Sequence, residues 1–85
     1  MPESYVQNFA ARFNSSDDIN RVAISNTGES YEIKIYTKRN STENINNLDT
    51  RSTAETISQE FFDNADLTLY IATMKGKVAQ KASSK

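Results

Sequence analysis

Apolar residues recur along this chain in two rhythms, one of three and four positions and one of two. Tyr5, Val6, Phe9, Ala10 and Phe13 share one face of a helix, which the spacing predicts from near Pro2 to near Asn14. Pro2 and Glu3 suit a first helical turn, and the run Asn14 to Asp18 is rich in residues that end one. The rhythm then changes to alternation. Val22 and Ile24 fall on one side of a strand over 21–25, with Arg21, Ala23 and Ser25 on the other. A turn at Asn26-Thr27-Gly28-Glu29 follows, with Gly28 free to take a positive φ. A second strand over 30–36 sets Tyr31, Ile33 and Ile35 against Glu32, Lys34 and Tyr36.

The stretch from Lys38 to Arg51 is polar and aperiodic, with Ile45 and Leu48 as its large apolar residues. A loop of this length in a small domain is expected to be functional or mobile. Ser52 and Glu55 have the spacing of a capping box, in which hydroxyl and carboxylate satisfy each other's free backbone amides. They predict the start of a second helix that buries Ala54, Ile57, Phe61 and Ala65, is widened by Phe62 and ends near Asn64. A third strand, Leu67 to Thr73, places Leu67, Leu69 and Ile71 opposite Thr68, Tyr70 and Ala72, and Gly76 is expected to break it.

These elements predict an α+β fold of order α-β-β-α-β. The expected sheet has three mainly antiparallel strands in the order 2-1-3, with both helices packed on the face made by Val22, Ile24, Tyr31, Ile33, Ile35, Leu67, Leu69 and Ile71. Eighty-five residues fit one domain. Its expected extent is residues 1–74, followed by a flexible tail over 75–85. That tail holds Lys75, Lys77, Lys81 and Lys85 and no acid, whereas the preceding part is net acidic. The tail is expected to be solubilising.

Composition narrows the chemistry. There is no His and no Cys, so the commonest general acid–base group and every thiolate nucleophile or thiolate metal ligand are missing. Ser and Thr have no His to activate them, and two glycines make no phosphate-cradling loop. Asp17-Asp18 and Asp63-Asn64-Ala65-Asp66 carry oxygen ligands but lack the spacing of a calcium loop. No enzyme activity, cofactor or metal is therefore expected. No apolar run reaches the roughly 20 residues that span a bilayer, and no signal peptide is evident, so the expected location is cytoplasmic.

With the helices on one side, the other face of the sheet carries Arg21, Ala23, Glu32, Lys34, Tyr36, Thr68 and Tyr70. Tyrosines offer large contact area at small entropic cost, and Arg or Lys meets a carboxylate or phosphate. The expected function is that of a small non-catalytic protein-binding domain, accessory or inhibitor-like, acting through this face. Its candidate contact residues are Arg21, Lys34, Tyr36 and Tyr70, with Lys38 and Arg39 at the strand end. The alternative is a nucleic-acid binder that adds the basic tail to the same face. An ordinary solvated sheet face accounts for the same residues without a partner. The second strand is an edge in the expected order, which allows a weak homodimer beside the monomer, with Lys34 and Lys38 as guards.

Overall fold

Strand β1 (Ile19–Asn26) leads through a four-residue turn to β2 (Tyr31–Thr37) in a computed structural model that describes residues 19–44 and 50–85. A single turn of 3-10 helix follows at Thr42–Asn44, then helix α1 (Thr50–Phe61), β3 (Leu67–Ala72) and β4 (Val78–Ser83). The four strands form one sheet in the order β1-β2-β3-β4. β2 pairs antiparallel with β1 and parallel with β3, and β3 pairs antiparallel with β4. The architecture is thus two hairpins joined along a parallel seam, with α1 as the crossover.

The fold is α+β, but the expected three-stranded sheet of order 2-1-3 with two helices is corrected to a four-stranded mixed sheet with one described helix. The first helix expected, over 2–14, lies outside the described residues. Strand β3 sits beside β2, not beside β1, because β2 and β3 are the most apolar strands. Ile33, Ile35, Leu67, Leu69 and Ile71 are buried, and strands buried in this way take the middle of a sheet. β2 is accordingly central, and the idea that it is an edge guarded by Lys34 and Lys38 is withdrawn. Among the described residues the edges are β1 and β4.

The fourth strand comes from the segment expected to be a flexible tail. Val78–Ser83 pairs with β3, with a bulge that skips Ala79, and beyond it the Ser84 amide donates to the Leu67 carbonyl at 2.8 Å. In return the Leu67 amide donates to Ser84 Oγ at 3.0 Å. The turn before it, Thr73 to Lys77, is closed by the Gly76 amide on the Thr73 carbonyl (2.9 Å) and by the Lys77 amide on Thr73 Oγ1 (3.1 Å). Gly76 has φ +96, a left-handed conformation that glycine adopts without penalty. It therefore closes a hairpin where the sequence had suggested a terminator.

Helix α1 lies over β3 and β4 and buries Ala54, Ile57 and Ser58 against Ile33, Leu67, Leu69 and Ile71. It begins at Thr50, before Ser52, so the expected capping box does not mark its start. Thr50 Oγ1 instead donates to Gln80 Oε1 of β4, and Glu55 takes Arg51 Nε at 3.2 Å. The end is a left-handed pair, Asp63 (φ 56) and Asn64 (φ 62), with the Asn64 amide donating back to the Ser58 carbonyl at 2.9 Å. This bond spans one residue more than the 6→1 bond of a Schellman cap, as two successive left-handed residues require, and Asp and Asn are the non-glycine residues that best tolerate that conformation. The cap turns Phe62 inward to 2% exposure, where its ring meets Tyr31 at 4.8 Å, while Phe61 is half-buried. Every buried side-chain polar atom among the described residues has a hydrogen-bond partner. No described helix is long and apolar enough to cross a membrane.

Candidate functional site

The register of the sheet assigns each side chain to a face. Val22 lies opposite Ile35 and Ile24 opposite Ile33; Ile33 and Ile35 in turn lie beside Leu69 and Ile71. These residues point toward α1. The intervening positions form the opposite face, which no described element covers. They fall into three rows. Arg21, Tyr36, Ala72 and Val78 make the first; Ala23, Lys34, Tyr70 and Lys81 the second; Ser25, Glu32, Thr68 and Ser83 the third.

Within the first two rows the cations rest on rings. The Arg21 guanidinium carbon is 3.7 Å from the centre of the Tyr36 ring, and Lys34 Nζ is 4.9 Å from it. Lys81 Nζ lies 5.5 Å from the centre of the Tyr70 ring. Ring quadrupoles attract cations at such distances, holding the charged heads without neutralising them. No described carboxylate lies within ion-pair distance of Arg21, Lys34 or Lys81. The acid on this face, Glu32, is engaged otherwise: Tyr70 Oη donates to its Oε2 at 3.2 Å.

The β3–β4 turn closes one end of the face. A Cβ on Gly76 would stand 3.1 Å from Tyr36 Cε2 and 3.5 Å from Lys34 Nζ, so only glycine lets the turn come this near without displacing the ring. Exposed Lys75 and Lys77 flank that glycine. The Met74 amide donates to the Arg39 carbonyl at 2.9 Å, which brings the chain beyond β2, with exposed Lys38 and Arg39, beside the same turn. Positive charge accumulates at the carboxyl ends of the parallel strands, whereas Glu29, Asp63 and Asp66 lie toward the other end.

A shallow depression of about 340 Å³ crosses the face, lined by Ala23, Ser25, Glu32, Lys34, Tyr70 and Val78. Alanine where the neighbours in its row are long leaves the space, and Val78, 43% exposed, gives it an apolar wall. Of the residues expected to make contacts, Arg21, Lys34, Tyr36 and Tyr70 stand together here. Lys38 and Arg39 lie outside the rows, past the end of β2. Sequence reasoning missed Lys81 and Val78, because both belong to the unrecognised fourth strand. Alternation after the glycine turn could have suggested the strand, but a bulge that skips Ala79 brings Val78 to the same face as Lys81, which period two does not foretell.

Among the described residues no three acids come together as a possible metal site, and Asp63 serves the helix cap. Neither models of protein families, nor curated proteins, nor solved structures yield a match to this chain.

Proposed function

We propose that this chain is a non-catalytic binding domain that engages another protein through the open face of its sheet. The observation that carries this reading is the set of cations held on tyrosine rings, Arg21 and Lys34 on Tyr36 and Lys81 on Tyr70, without a carboxylate partner among the described residues. Such cations are ordered before a partner arrives, so less side-chain entropy is lost on binding. Tyrosine and arginine are also the residues that most often carry binding energy at protein interfaces. A chain without His or Cys has few routes to catalysis, in keeping with a binding role.

The test is affinity capture with the wild-type chain and with a Tyr36→Ala/Tyr70→Ala double variant of verified fold. Specific partners recovered with wild type are expected to be lost with the variant. Recovery of the same partners in the same yield removes the sheet face from the proposal.

A second reading, nucleic-acid binding, is favoured by the placement of Lys81 on the face and of Lys75 and Lys77 beside it. It requires affinity for single strands that falls steeply with salt. Absence of a mobility shift with single-stranded DNA and RNA at low salt excludes it.

A further inference from the structure

Resting on the protein-binding reading, we infer that the occupant of the open face is an acidic peptide segment carrying one apolar side chain between its carboxylates. The apolar side chain sits in the depression, between Ala23 on β1 and Val78 on β4. The flanking carboxylates reach Arg21 and Lys34 on one side and Lys81 on the other.

Three observations select this chemistry. Among the described residues the cations of the face have no carboxylate partner, which calls for an anionic partner. The depression that crosses the sheet has an apolar wall open to solvent at Val78, which an all-polar ligand would leave unfilled. Glu32 also lines that depression from the third row, its carboxylate held by Tyr70 Oη at 3.2 Å, so negative charge is repelled along that side of it.

The last point separates a peptide from a nucleic acid. A nucleic-acid strand carries a phosphate at every step and cannot omit one over Glu32, whereas a peptide places an uncharged residue there. The rings point the same way. Base stacking needs a free aromatic face, but the Arg21 guanidinium already lies 3.7 Å from the centre of Tyr36.

The inference is tested by fluorescence anisotropy at low salt, using the whole chain and fluorescein-labelled probes. One peptide has glutamates flanking a central leucine, a second is all glutamate, a third replaces the flanking glutamates with glutamine, and a fourth probe is single-stranded oligothymidine. The leucine-centred acidic peptide is expected to bind about tenfold more tightly than either control peptide, and Lys34→Glu is expected to weaken it by about tenfold or more. Glu32→Gln, a change at a half-buried position outside the core that keeps an acceptor for Tyr70 Oη, is expected to raise the affinity of the all-glutamate peptide toward that of the leucine peptide. Equal affinity of wild type for these two peptides overturns the inference, as does tighter binding of oligothymidine or no binding of any probe. Failure here with the double variant still losing its captured partners leaves the protein-binding reading standing and removes only the acidic, anchored segment. Capture that is indifferent to the double variant removes both.

Discussion

The two faces of this sheet are built from alternate residues of the same strands, yet they obey different rules. The face under α1 is set by volume: Ile33, Leu67 and Leu69 are fully buried, and the helix, its cap and Phe62 close over them. The open face is set by charge and by rings: cations sit on Tyr36 and Tyr70, and Ala23 leaves room for a depression beside them. Adjacent residues therefore have unlike duties. Leu69 holds the molecule together, and Tyr70 beside it faces solvent and Glu32. A protein this small has little surplus burial, so specialising one face for stability leaves the other available for recognition.

The sharpest way to break that contrast is to truncate the buried side. Leu69→Ala removes a side chain with no solvent exposure and is expected to cost about 2–5 kcal/mol, read as a lower urea midpoint. A loss no larger than that of an open-face substitution would contradict the division of labour. Gly76→Ala acts where the two sets of rules meet. Its positive φ and the approach to Tyr36 predict a loss of about 1–2 kcal/mol, together with a changed Tyr36 environment in aromatic proton spectra. An unshifted Tyr36 would show that the turn does not bear on the ring. The smallest effect on stability is expected from Arg21→Ala, no more than about 1 kcal/mol, since the guanidinium is exposed and its ring contact is the principal loss. Binding through the face should nonetheless suffer. A large stability loss at Arg21 would mean that the open face is structural after all.

Much of this was legible in the sequence because alternation is a local signal. The side of each of the first three strands that turns inward follows from period two, and Arg21, Lys34, Tyr36 and Tyr70 follow as its complement. Strand order was not legible, since it depends on which strands are apolar enough to need neighbours on both sides. The fourth strand escaped because Val78–Ser83 is made of small and polar residues whose pairing is supported by β3 and by the Thr50–Gln80 contact from α1. Its loss from the reading also hid Lys81, and with it the charge that faces Tyr70. The helix start was misplaced because Ser52 and Glu55 carry a local signature, while Thr50 is fixed by a partner far along the chain.

The parallel seam has a consequence for how the sheet comes together. Each hairpin joins chain neighbours, whereas Thr37 Oγ1 reaches the Ala72 carbonyl across 35 positions, and Tyr70 reaches Glu32 across 38. Closing a long loop costs entropy before any contact repays it, and non-local pairing slows folding. On this ground the hairpins are expected to form before Tyr31–Tyr36 zips against Leu67–Ala72, an order that pulsed hydrogen exchange during refolding checks. The depression lies across that same seam, with Ala23, Glu32 and Lys34 from one half and Tyr70 and Val78 from the other. A ligand seated there would touch both halves, and is expected to slow their separation, read as a lower unfolding rate with ligand present.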